Sequence, residues 1–146
     1  MKTNTCSYSS IIRFSGIYDI ILMIPFAIPG VVSYTMTQVG NLHTTLSLSG
    51  SFSEFSPFHL FFINLMALVT IVWAVLRVRT PIPRYGIYDS VTRVLIAILM
   101  LVYLLMFNIS EILWIFFVSE VTWALLQING HLFKQKDSLN FEATTA

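Results

Sequence analysis

The sequence predicts an all-α integral membrane protein, a four-helix bundle that crosses a bilayer four times. Its 146 residues are 56% hydrophobic and 10% charged, with a mean hydropathy of +0.79. Because a soluble domain carries about 25% charged residues, this balance indicates lipid as the solvent. Four apolar runs are each long enough to cross a hydrocarbon core of about 30 Å. We predict a single membrane domain over residues 1–146, with helices at 11–34, 57–78, 87–107 and 109–128.

The first apolar run has features that distinguish it from a secretory signal peptide. Asp19 interrupts its apolar core, Pro25 and Pro29 follow, and no small-x-small cleavage site precedes Gly30. We therefore predict a membrane-spanning helix that the prolines kink or end early, since each removes a backbone donor. The outer loop, residues 35–56, is rich in Ser, Thr and Gly, and a short amphipathic or re-entrant piece is expected there.

The remaining spans have clear sequence boundaries. The second begins with Pro57, which suits the first position of a helix, and it ends at Arg79 before a proline-rich break. Asn108-Ile109-Ser110 is so short a connection that the third and fourth helices must be antiparallel neighbours. Asn129-Gly130 predicts the end of the fourth helix, which leaves a polar tail over residues 129–146.

The cationic residues predict the orientation. All of them fall near the N-terminus, in the middle loop or in the C-terminal tail, and none lies in the first or last loop. The positive-inside rule then places both termini in the cytoplasm, with a bacterial inner membrane as the expected location. The eight residues are Lys2, Arg13, Arg77, Arg79, Arg84, Arg93, Lys134 and Lys136.

A short internal repeat indicates two tandem helical hairpins. Gly16-Ile17-Tyr18-Asp19 in the first span recurs as Gly86-Ile87-Tyr88-Asp89 at the start of the third. The span that follows in each case has a Trp-Ala pair near its end, at Trp73 in the second span and at Trp123 in the fourth. Such a pattern is typical of parallel repeats related by an axis along the membrane normal. The alternative is chance similarity between hydrophobic segments in which interfacial Tyr and Trp are common.

Charged side chains within the spans mark the first candidate site. Counted at 1.5 Å per residue, Asp19, Arg93 and Glu120 lie about 9–13 Å below the inner surface. An unpaired charge costs at least about 2.5 kcal/mol at such depth, so these groups should find one another. The cluster is either a structural ion-pair network, which we favour, or a site that binds a polar head group or relays protons. Its predicted members are Asp19, Arg77, Asp89, Arg93 and Glu120.

A second polar set is predicted at the opposite end, where Glu54, His59, Asn64 and Glu111 could form an outer-face site. It lacks ligand spacing such as His-Glu-x-x-His, so neither a metal nor another cofactor is expected. The formal net charge of +1 argues against a nucleic-acid partner.

The frame of four spans, with Arg13 opening the first helix and an Arg-x-Leu-Ile-Ala run from Arg93 to Ala97, resembles the DoxX-like superfamily of small bacterial membrane proteins. The resemblance covers residues 11–128. It implies a four-helix fold and, for some members, a role as an accessory membrane subunit of quinone-linked oxidoreductases.

The leading functional hypothesis is a non-enzymatic accessory or partner-binding subunit. Beyond the lipid bilayer, its expected partners are another membrane protein or a second copy of the chain. The runner-up is a small proton-coupled transporter or lipid-binding protein that uses Asp19 and Glu120. A third possibility is an intramembrane enzyme acting on a lipid, which would depend on His59 with Glu54 or Glu111.

Overall fold

The computed structural model contains five α-helices and describes the backbone of residues 3–145 and the side chains of residues 8–135. Lys2 and the side chain of Lys136, two of the cations used to predict orientation, lie outside this part. The helices are α1 (Thr3–Ala27), α2 (Val31–Thr45), α3 (Pro57–Arg79), α4 (Pro83–Met106) and α5 (Leu113–Thr145).

Four of these helices are long and apolar enough to cross a membrane, by length and composition, so the chain is a multi-pass membrane protein of the helical-bundle type. The spanning segments are Tyr8–Ala27, Pro57–Arg79, Pro83–Met106 and Leu113–Gln135.

The first predicted helix is shorter than expected. Instead of running from 11 to 34, α1 ends at Ala27, and Gly30 takes a φ of 86° that breaks the helical path. Residues 31–45 then form α2, which occupies the first half of the predicted 35–56 loop. Pro29 explains the break, because a proline cannot supply the backbone donor that would continue α1.

The last helix is longer than expected. α5 does not end at Asn129-Gly130 but continues to Thr145, which corrects the predicted polar tail at 129–146. Gly130 here provides close packing: a Cβ at this position would lie 2.6 Å from the ring of Tyr8. The glycine that was expected to end the helix instead allows α5 to approach the beginning of α1.

Helix pairing places α1 at the centre of the bundle. It packs most extensively on α3, while α4 packs most extensively on α5, and α1 also contacts α4 and α5. Many large apolar side chains of the spans are exposed. Close packing between spans uses small residues. This is expected in lipid, where the hydrophobic effect does not drive helices together and close backbone approach does. The buried ones include Ala67, Ala74, Ala97 and Ala124.

A short clasp joins the two halves at the end that carries α2, here called the α2 end. Ser51 forms an isolated parallel bridge with Ile109, with Ser51 N donating to Asn108 O at 2.8 Å and Ser110 N donating to Ser51 O at 3.0 Å. Gly50 has a φ of 86°, and an added Cβ there would meet the backbone of Ile109. The clasp thus needs a glycine both for its conformation and for its close approach.

Candidate functional site

A buried ion-pair network connects all four spanning helices. Asp19 comes from α1, Arg77 from α3, Asp89 and Arg93 from α4, and Glu120 from α5. The side chains of Arg77 and Arg93 are 0% and 3% exposed, and that of Glu120 is the most open at 15%. All five residues predicted for the inner cluster therefore meet in one network.

Asp89 is the most heavily bonded carboxylate. Its Oδ2 accepts from Arg77 Nη1 at 2.6 Å and from Arg93 Nε at 2.9 Å. The same oxygen accepts from Gln127 Nε2 at 2.7 Å, while Oδ1 accepts from Trp73 Nε1 at 3.0 Å. Because Asp89 and Arg93 are four residues apart on one helix, α4 itself brings this pair together.

The other two carboxylates lie around Arg93. Asp19 Oδ2 accepts from Arg93 Nη2 at 2.6 Å and also from Arg77 Nη2. Glu120 Oε2 accepts from Arg93 Nη1 at 2.8 Å. Every nitrogen of the Arg93 guanidinium thus bonds a different carboxylate, so Arg93 joins α1, α4 and α5 through a single planar group.

Three neutral residues complete the network, and none of them was among the members predicted from the sequence. Ser15 Oγ accepts from Arg77 Nη1 and from Gln127 Nε2, both at 2.8 Å, and Trp73 donates to Asp89. Helical spacing could have identified them. Ser15 precedes Asp19 by four residues, Trp73 precedes Arg77 by four, and Gln127 follows Glu120 by seven, so each shares a face with a charged member.

The network contains three carboxylates and two guanidiniums, so the carboxylates are in excess by one. Removing several charges from water costs much free energy, and mutual attraction repays it only where geometry and extra hydrogen bonds are good. Here the shared oxygens of Asp19 and Asp89 supply that geometry. Two fully buried atoms, Arg77 Nε and Gln127 Oε1, have no hydrogen-bond partner among the described residues.

The second predicted set does not form one site. His59 is exposed and completes a capping box on α3, with its Nδ1 accepting from Ser56 N at 3.3 Å. Asn64 donates to the carbonyl of Phe26 at 2.7 Å, and Glu111 accepts from Ser49 N at 3.0 Å. Glu54 is exposed and lines a cleft of about 460 Å³. Three of the four predicted residues thus bond backbone atoms at helix ends or in the clasp.

A histidine outside the predicted set, His43, contacts a buried serine at the α2 end. His43 Nδ1 lies 2.7 Å from Ser110 Oγ, joining α2 to the connection between α4 and α5. This contact was not predicted from the sequence, because His43 and Ser110 are 67 positions apart. Among the described residues, no group of three or more His, Cys, Asp or Glu side chains could hold a metal ion.

Comparison of the chain with protein-family models, with curated proteins and with solved structures finds no match.

Proposed function

We propose that this protein is a non-enzymatic accessory or partner-binding subunit of a membrane, with the ion-pair network acting as its structural lock. The observation that carries this proposal is that the buried charged side chains form hydrogen bonds with one another. Both nitrogens at the end of Arg77 and all three nitrogens of Arg93 bond groups within the bundle. Because only 0% and 3% of their side chains are exposed, Arg77 and Arg93 are inaccessible to a substrate, and the cluster suits a structural role better than a catalytic one.

The exposed surface of the spans favours the partner-binding part of the proposal. Large apolar side chains on α3 and α4 point away from the bundle, among them Phe61, Val72 and Leu95 at 57%, 63% and 61% exposure. Lipid can cover such a surface, and so can the spans of another protein or of a second copy. The proposed DoxX-like relationship also fits an accessory role.

We further propose that the chain forms two tandem hairpins with both termini in the cytoplasm of a bacterial cell. The predominant packing of α1 on α3 and of α4 on α5 favours the hairpins. The internal repeat gains support from Asp19 and Asp89, equivalent positions that bind the same arginine. Arg13, Arg79 and Arg84 are all exposed at one end of the spans, as the positive-inside rule requires of a cytoplasmic surface.

The alternative function is a proton-coupled transporter that uses Asp19 and Glu120. One feature favours it: Glu120 is the most exposed carboxylate of the network and bonds only Arg93 among its charged members. An excess carboxylate at an open edge is where a proton could bind and leave.

Proton flux in liposomes separates the two functions. The purified protein is reconstituted beside Glu120→Gln and Glu54→Gln, the latter a matched change of an exposed carboxylate outside the network. We expect an imposed pH gradient to decay at the same rate in all three preparations and in protein-free vesicles. Faster decay with the wild-type protein that Glu120→Gln abolishes and Glu54→Gln retains would overturn the accessory proposal.

A photo-crosslinking experiment tests the partner-binding part. A photoreactive amino acid at Leu95, on the exposed face of α4, should give a single discrete adduct in native membranes. The same amino acid at buried Ala97 should give none. A smear of lipid adducts alone at Leu95 would contradict a protein partner on this face.

A further inference from the structure

A partly enclosed cleft of about 410 Å³ lies at the α2 end, between α1 and α2 on one side and α4 and α5 on the other. We call it the α2 cleft. Its volume falls in the range of small-ligand sites, about 300–1,000 Å³, and its lining is dominated by apolar and aromatic groups. Six aromatic side chains contribute, namely Phe26, Phe52, Phe55, Tyr103, Phe107 and Phe116.

One polar group is buried in the wall of the α2 cleft. Ser110 is 2% exposed, and its hydroxyl contacts His43 Nδ1 at 2.7 Å and accepts from Ile112 N at 3.3 Å. The imidazole of His43 lies against the ring of Phe52, with 6.0 Å between ring centroids and an interplanar angle of 25°. The α2 cleft therefore combines a long apolar surface with the hydroxyl of Ser110, which His43 contacts from behind the lining residues.

The charges around the α2 cleft select among amphiphilic ligands. No charged side chain is among the described residues that line it. The arginines lie toward the other end of the spans, and the nearby ionisable carboxylates are Glu54 and Glu111. An anionic head group would find no cation here and would meet acidic side chains instead, so a neutral head is favoured.

From these observations we infer that the α2 cleft binds a neutral single-chain amphiphile, such as a long-chain alcohol. Its apolar chain lies among the six aromatic side chains, and its hydroxyl exchanges hydrogen bonds with the His43–Ser110 pair. The clasp formed by Ser51 and Ile109, which both line the cleft, holds one wall in place. This inference does not depend on the proposed accessory function, since a protein that binds no partner could still bind the amphiphile.

Photolabelling with hexadecanol tests it. The probe carries a mid-chain diazirine and a terminal alkyne, and the full-length protein is reconstituted in phosphatidylcholine vesicles. We expect labelled peptides to map to the residues between Tyr103 and Phe116, and excess unlabelled hexadecanol to prevent the labelling. Excess hexadecanoate at pH 8, where the free acid is anionic, should compete poorly.

Two variants and a control complete the experiment. Val39→Trp fills the cleft from α2 and should abolish labelling, whereas Val69→Trp, at an exposed valine of α3, should leave it unchanged. His43→Phe keeps an aromatic ring against Phe52 but removes the hydrogen bond, which should lower labelling about threefold. If Val39→Trp fails to fold, His43→Phe and the two competitors still decide the outcome. Uniform labelling along α3, undiminished labelling in a folded Val39→Trp or His43→Phe, or equal competition by hexadecanoate would overturn the inference.

Discussion

At the scale of single residues, the number of hydrogen bonds that each carboxylate accepts predicts how much it contributes to stability. Asp89 Oδ2 alone receives three hydrogen bonds, from Arg77, Arg93 and Gln127, whereas Glu120 bonds only one of the two arginines. Removing one member of a buried pair leaves its partner charge uncompensated, which costs more than the pair itself contributes. The same Asp to Asn or Glu to Gln change should therefore have unequal effects within the network.

Asp89→Asn should destabilise the protein by roughly 3 kcal/mol, because both buried guanidiniums lose the carboxylate that they share. Glu120→Gln should cost clearly less, since its carboxylate is partly exposed. Glu54→Gln, outside the network, should stay within about 0.5 kcal/mol. Thermal unfolding in one detergent would measure all three. Equal losses for Asp89→Asn and Glu54→Gln would show that the network does not stabilise the fold.

Two glycines with the same positive φ allow the cost of backbone strain to be measured apart from the cost of a steric clash. Gly30 and Gly50 both have φ of 86°, but a Cβ at Gly30 meets nothing within 4 Å, whereas one at Gly50 meets the backbone of Ile109. Gly30→Ala should cost about 1 kcal/mol from backbone strain alone. Gly50→Ala should cost about 1–3 kcal/mol more, because the clasp must move. Equal unfolding temperatures for the two variants would contradict a closely packed clasp.

At the scale of secondary-structure elements, the break after α1 needs compensation from another helix. Where α1 stops at Ala27, its last carbonyls lose their helical donors, and an unpaired carbonyl is costly in an apolar environment. Asn64 of α3 donates to the Phe26 carbonyl at 2.7 Å and so satisfies one of them. An amide within the second span therefore has a structural role at the end of the first.

Asn64→Leu should lower stability by about 1–3 kcal/mol, since it leaves the Phe26 carbonyl without this donor. Leu65→Asn would not substitute for it, because Leu65 is exposed on a different face of α3. The double variant Asn64→Leu with Leu65→Asn should thus be no more stable than Asn64→Leu. Denaturation in detergent would measure both, and full recovery in the double variant would refute a position-specific cap.

At the scale of the whole molecule, the two ends of the bundle differ in chemistry. One end carries the exposed Arg13, Arg79 and Arg84, whereas the α2 end carries Glu54, Glu111 and the apolar α2 cleft. The network lies within the spans and ties the four helices together. This asymmetry supports the proposed orientation and separates the structural lock from the proposed ligand site.

Cysteine labelling should reveal the orientation. In a Cys6→Ser background, which removes the single native cysteine, Glu54→Cys and Arg84→Cys each place a thiol at an exposed position. In intact cells a membrane-impermeant maleimide should label Glu54→Cys, whereas Arg84→Cys should react only after the cells are opened. The reverse pattern would invert the proposed topology, and labelling of both in intact cells would contradict it.

The sequence by itself determined the four spans and the charged members of the ion-pair network. Four spans follow from composition and length, because a bilayer demands long apolar helices. The meeting of Asp19, Arg77, Asp89, Arg93 and Glu120 was predictable because charges at one depth in lipid must pair. Their exact bonds were not predictable, since they depend on how four helices rotate about their axes.

Tertiary structure alone decided the features that depend on contacts between distant segments. Asn129-Gly130 resembled a helix end, but α5 continues through it, and the missing side chain of Gly130 lets α5 pack closely against Tyr8. His59 forms no site with Glu54 or Glu111, whereas His43 contacts Ser110. The clasp holds the segment that follows α2 against the α4–α5 connection, where Ser110 lies. A sequence records local propensity and polarity, whereas the α2 cleft exists only where residues from four helices and a loop converge.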